Sequence, residues 1–113
     1  MPELPEVEMQ KRYFDGCSLY QRIAAIEFLR PRIVKGSDPG NLAHAARGRE
    51  FVSSCRRGKY LLGQLSGNGW LVFHFGMDGH LEYRCGHEVL QPDARAVIRF
   101  ENGCRLTYNS WRM

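Results

Sequence analysis

A chain of 113 residues falls in the size range of one domain, and its 43% hydrophobic and 25% charged residues match an average soluble composition. No apolar run approaches the ~18–20 residues of a membrane span, and the acidic, proline-broken opening Met1-Pro2-Glu3-Leu4-Pro5-Glu6 excludes a secretory signal pattern, so a cytoplasmic protein with no membrane partner is expected. Sixteen Lys and Arg against twelve Asp and Glu give a net charge of +4, a balance that favours a polyanionic partner such as nucleic acid.

Residues 4–14 read as a short helix. Leu4, Val7 and Phe14 share one face, carboxylates open it, Lys11 and Arg12 lie near its end, and Gly16 is a natural stop. Strands are expected over 22–28 and 32–35. Asp38 then caps a second helix, Pro39 occupies its first turn, the alanine-rich stretch 41–47 forms its body and Gly48 closes it. Beyond it the pattern changes to strands at 50–54, 59–65, 70–75, 80–84, 96–100 and 104–108, with hairpin turns at Gly67-Asn68-Gly69 and Asn102-Gly103. The expected fold is α+β, mainly β: an antiparallel β-sandwich with an N-terminal helix and a second short helix, in one domain over 1–113.

Cys17, Cys55, Cys85 and Cys104 are widely spread with no Cys-x-x-Cys pair, so they read as reduced and mostly buried thiols. His74, His80 and His87 stand six and seven residues apart, which does not put two ligands on one helix face. No metal ligand set and no cofactor are expected in this chain.

Three islands carry chemistry. The first is Pro2-Glu3-Leu4-Pro5-Glu6-Val7-Glu8. Removal of the initiator methionine, common before a small residue, leaves Pro2 with a free amine. A generic α-amino group with a pKa of about 7.7–8.0 is roughly 10–15% unprotonated at pH 7, far more than an ordinary lysine. A secondary amine of this kind attacks an aldehyde or sugar carbon and forms an iminium ion, an electron sink, while Glu3 and Glu6 lie close enough to move protons. The second island, Arg56-Arg57-Gly58-Lys59-Tyr60, is a basic turn leading into an apolar strand and can project cations onto phosphates. In the third, His74-Phe75-Gly76-Met77-Asp78-Gly79-His80, two glycines around a methionine make a loop able to present an apolar wedge to a base stack.

Taken together, and in this order, the three islands resemble the N-terminal catalytic domain of the formamidopyrimidine-DNA glycosylases, also called MutM. Leu4 stands where relatives of the endonuclease VIII type usually carry glycine, which favours the oxidised-purine branch. The resemblance implies a base-excision repair enzyme, a DNA glycosylase and abasic-site lyase acting on formamidopyrimidines and 8-oxoguanine. It makes Pro2 the nucleophile, Glu3 the proton shuttle and Lys59 a phosphate contact needed for turnover. His74 also holds phosphate, Met77 fills the gap left by the flipped nucleotide, and Glu6, Arg56, Arg57 and Arg112 belong to the DNA-binding surface. The implied partner is damaged double-stranded DNA, bound by a monomer.

The end of the chain departs from the family pattern. Asn109-Ser110-Trp111-Arg112-Met113 occupies the place of an Asp-x-Arg-Arg-Phe-Gly segment, so Trp111 and Met113 stand where an arginine and a phenylalanine are usual. The family continues into a helix-two-turn-helix and a zinc finger; zinc is expected there and not in this chain, which by itself is expected to be inactive. Two other readings remain open: a non-catalytic paralogue that binds damaged DNA, supported by the altered end, and an N-terminal-proline tautomerase, which would need neither the basic turn nor the Met77 loop.

Overall fold

The computed structural model describes residues 4–29, 39–67, 69–75, 79–86 and 89–110, with the backbone alone for residues 4, 5 and 39. Two helices and seven strands appear in the order α1 (Leu4–Ser18), β1 (Ile23–Phe28), α2 (Pro39–Ala46), β2 (Phe51–Arg57), β3 (Tyr60–Leu65), β4 (Trp70–His74), β5 (His80–Cys85), β6 (Ala94–Phe100) and β7 (Cys104–Asn109). The strands form two antiparallel sheets, one ordered β1-β6-β7-β5 and the other β2-β3-β4. One core lies between them: Ile23, Ile26, Ile98, Phe100, Leu106 and Tyr108 come from the first sheet, Phe51, Leu61, Leu65, Leu71 and Phe73 from the second, and Val7 and Phe14 from α1. The expected mainly-β sandwich with two helices is the fold observed.

Helix α1 closes the seam between the sheets. Val7 and Phe14 are fully buried, and the Phe14 ring packs edge-on against Phe51 at 4.9 Å and on Phe73 at 5.9 Å. Gly63 on β3 makes room for this pair: a Cβ there would come within 2.9 Å of the Phe51 ring and 3.0 Å of the Phe14 ring. On the other flank, Gln10 Oε1 accepts the Leu81 N–H (3.0 Å) and the Tyr13 hydroxyl accepts the Tyr83 N–H (2.6 Å), so the helix caps the open edge of β5.

Several boundaries differ from the sequence expectation. Gly16 does not stop α1, which runs to Ser18. Asp15 bonds both Lys11 Nζ (2.9 Å) and Ser54 Oγ (2.5 Å), holding the helical register past the glycine. The reversal falls at Tyr20, whose φ of 65° is left-handed and whose N–H donates to Phe51 O at 2.7 Å. Strand β2 runs on through Arg57 because Cys55, Arg56 and Arg57 pair in register with Leu62, Leu61 and Tyr60, so Lys59 belongs to the turn and not to a strand. The strand expected over 32–35 lies outside the described residues.

The reading of all four cysteines as reduced, mostly buried thiols is corrected. Cys85 and Cys104 face each other in the β5–β7 register, their Cα atoms 4.0 Å apart, and are joined as a disulfide. Antiparallel pairing brought together two residues whose sequence separation of 19 gave no sign of it. Cys17 and Cys55 are free and only half-buried.

Replacing Gly63 by alanine is expected to lower stability by about 1–3 kcal/mol, the usual cost of overpacking a filled core. Thermal or urea melts of Gly63→Ala against the unsubstituted chain measure it.

Candidate nucleic-acid interface

Three pieces of backbone meet at one end of the three-stranded sheet. The β2–β3 turn consists of Gly58 and Lys59, closed by the Arg57–Tyr60 pair. Gly58 has a φ of 59° and is the only member of the turn with a positive φ, an arrangement that wants glycine first and leaves Lys59 at the tip. Tyr60 pairs across β3–β4 with His74, and their rings lie 4.7 Å apart. The amino-terminal half of α1 reaches the same end, since Arg56 Nε donates to Glu8 Oε2 at 3.1 Å.

The sheet end is thus lined by Lys59, Arg57, Tyr60 and His74. Arg57 and Tyr60 are exposed, Lys59 and His74 half-buried, and neither Lys59 nor Arg57 has an ion-pair partner among the described residues. Their cations are available to a phosphate. Arg56, expected beside them, is engaged by Glu8 and also donates from Nη1 to the Gly58 carbonyl (3.4 Å). Glu6 is exposed on the first turn of α1.

Behind His74 the backbone is held from the opposite sheet. The Tyr108 hydroxyl donates to the His74 carbonyl, and the Tyr108 ring lies 6.4 Å from both Phe73 and Phe75. Phe75 and Gly79 are held close together, the Gly79 N–H donating to Phe75 O at 2.6 Å. A Cβ on Gly79 would fall under 3.0 Å from the backbone O, Cα and C of Phe75, so glycine is required there. Met77, which lies between Phe75 and Gly79 in sequence, is outside the described residues, as are Pro2, Glu3, Trp111, Arg112 and Met113.

One part of the arrangement was missed from sequence. Asn109 is fully buried; its Nδ2 donates to Asp93 Oδ1 (2.9 Å), its Oδ1 accepts from Thr107 Oγ1 (2.6 Å), and the Ser110 N–H donates to the Asp93 carbonyl (2.9 Å). This chain of bonds fixes the backbone just before 111–113. Its only sequence signal was an acid in the turn before β6, which suits many loops.

Electrostatic perturbation is modest. Burial works against the ionised form of Glu82, yet bonds and charges from His80 (3.0 Å) and Arg84 (3.1 Å) hold its carboxyl below the ordinary value. Burial raises the Cys17 thiol above its ordinary value despite bonds from Ser18 and the backbone, which keeps it a poor nucleophile at neutral pH. Among the described residues no three His, Cys, Asp or Glu side chains group as a metal site; His87 lies outside them.

The sequence model of the formamidopyrimidine-DNA glycosylase N-terminal domain matches residues 1–113. The chain belongs to this family. Curated formamidopyrimidine-DNA glycosylases are similar along almost its whole length: that of Moorella thermoacetica is 39% identical over 96% of the chain, and that of Symbiobacterium thermophilum 41% identical over 99%. The chain spans only 39% and 36% of those two relatives. Among solved structures, the wild-type Lactococcus lactis Fpg (MutM) with DNA containing N7-benzyl-Fapy-dG superposes with a TM-score of 0.91 at 28% identity, covering 98% of this chain and 40% of that one. A MutM complex with DNA containing carbocyclic 8-oxo-G gives 0.92 at 28% identity, covering 98% and 41%. The family's N-terminal fold therefore holds around the sheet end that gathers Lys59 and His74.

Tyr108→Phe removes the only side-chain donor described on the His74 carbonyl and is expected to destabilise the chain by about 1–3 kcal/mol, the cost of a buried acceptor left unpaired. A denaturant titration measures the loss, and amide exchange rates at His74 and Phe75 should rise with it.

Proposed function

We propose that this chain is the catalytic N-terminal domain of a bifunctional DNA glycosylase and abasic-site lyase that removes oxidised purines from duplex DNA, with Pro2 as nucleophile. The observation that carries the reading is the convergence of Lys59, His74 and the leading half of α1 at one sheet end. Pro2 immediately precedes that helix in sequence.

The Pro2 nitrogen attacks C1′ of a flipped nucleotide and the glycosidic bond breaks, its electron pair leaving with the base; the nitrogen gives up its proton and its lone pair then expels O4′, which takes up a proton, so the opened sugar is held as an iminium. Positive charge on nitrogen acidifies the C2′ hydrogen, so a base removes that proton and the 3′ phosphate departs with the C–O electron pair. A second elimination expels the 5′ phosphate, and water releases the sugar remnant and restores the amine. Glu3 carries protons at the sugar. Lys59 and His74 bind the flanking phosphates, joined by Arg57 and Arg112, and Met77 takes the place of the extruded nucleotide in the stack. The protein acts as a cytoplasmic monomer, and zinc belongs to a continuation that completes DNA binding. A second reading, binding of damaged DNA without cleavage, is favoured by Trp111 and Met113 at positions where the family pattern carries arginine and phenylalanine.

Borohydride reduction during reaction with abasic-site DNA is expected to trap a covalent adduct that peptide mapping places on Pro2 and that Pro2→Gly forms more slowly. Equal trapping in both proteins, or none in either, favours the second reading or another nucleophile. For this chain alone, about three to four phosphate contacts predict a log–log salt slope on the order of −3, since each contributes about −0.9 on B-DNA. Fluorescence anisotropy at several salt concentrations reads the slope, and Lys59→Gln should reduce its magnitude by roughly one contact.

A further inference from the structure

Arg56 reads from sequence as a cation offered to phosphate, and the fold turns it inward. Its Nε donates to Glu8 Oε2 at 3.1 Å and its Nη1 to the carbonyl of Gly58 at 3.4 Å. One guanidinium therefore grips two separate pieces of chain: the second turn of α1, which follows Pro2, and the turn whose tip is Lys59. The planar fork of arginine suits this, because donors on a rigid frame fix the relative positions of two acceptors in a way a lysine cannot.

We propose that Arg56 is a positioning residue, and that the Glu8–Arg56 pair sets the spacing between the Pro2 amine and the Lys59 ammonium without itself contacting DNA. This rests on the reading of Pro2 as nucleophile and Lys59 as phosphate ligand. In that reading the attacked sugar carbon and the neighbouring phosphate belong to one nucleotide, so their separation is dictated by the DNA. The two protein groups must match it. When they do not, phosphate can still be bound while the amine sits off its line of attack, and a misplacement near 1 Å lowers rate by about 100-fold. The loss therefore falls on the chemical step. Glu8 and Arg56 remain 41% and 31% exposed, and pairs this open add little to folding, so the positioning role is separable from stability.

The test uses the full-length protein with Arg56→Gln, Glu8→Gln, the double variant, and the exchanged pair Glu8→Arg with Arg56→Glu. Single-turnover borohydride trapping on abasic-site duplex gives the rate, and anisotropy against salt gives affinity and slope. Each single variant is expected to slow trapping about 10- to 100-fold with an unchanged salt slope and a Kd within about 3-fold. The double variant should be no slower than Arg56→Gln alone, because once Arg56 is gone Glu8 has lost its partner. The exchanged pair should recover part of the rate, and it decides the matter if a single variant melts early. Arg56→Gln that weakens binding and reduces the slope magnitude by about 0.9, with Glu8→Gln trapping at full rate, makes Arg56 a phosphate contact and overturns the inference. Undiminished trapping in all four variants overturns it as well, and both outcomes leave Pro2 catalysis standing. A trapped adduct that peptide mapping places on a residue other than Pro2 in the unsubstituted protein instead removes the catalytic reading and this inference with it.

Discussion

The seat of Phe14 is the contact on which the arrangement turns. Its ring is fully buried against Phe51 of one strand and Phe73 of another, in space left free by Gly63. Burying a phenylalanine contributes roughly 1.5–3 kcal/mol, more than any of the exposed ion pairs on the same helix. Phe14 sits near the carboxyl end of α1, and Val7, also fully buried, holds the amino half. Everything toward the amino end is then placed by a rigid rod, and polar contacts at Gln10 and Glu8 settle its rotation and tilt. Apolar burial fixes where the helix lies, and hydrogen bonds fix which way it faces.

The same division of labour recurs between the sheets. Phe73, Phe75 and Tyr108 form an apolar seam, and the Tyr108 hydroxyl converts one point of it into a directional bond on the His74 carbonyl. The backbone at His74 is thereby tied to the opposite layer. Asn109 and Asp93 perform the matching task at the end of β7 with a buried chain of hydrogen bonds. Both clamp the end of a strand with groups from elsewhere in the fold.

Much of this was legible in the sequence because it is local. The strands after Glu50, the turn glycines and the buried face of α1 follow from period and from residues that tolerate left-handed backbone. The candidate site residues were picked by motif, and of these Lys59 adjoins Tyr60, which pairs with His74 across β3–β4. What escaped was non-local. Nothing near Cys85 announces Cys104, because their pairing depends on β5 lying beside β7 and not beside β6. Arg56 looked like its neighbour Arg57 until the fold brought Glu8 from 48 residues away. Gly16 looked like a helix stop because local propensity cannot weigh the tertiary bond from Asp15 to Ser54.

The capping of β5 by Gln10 and Tyr13 bears on how such a domain avoids sticking to copies of itself. A border strand with bare amides invites a stranger to continue the ladder. Here two of those amides, on Leu81 and Tyr83, already donate to side chains of a helix that the core holds in place. A newcomer would have to displace the Gln10 and Tyr13 side chains to reach them. The helix whose Glu8 meets the Lys59 turn through Arg56 is therefore also a guard against edge-to-edge growth.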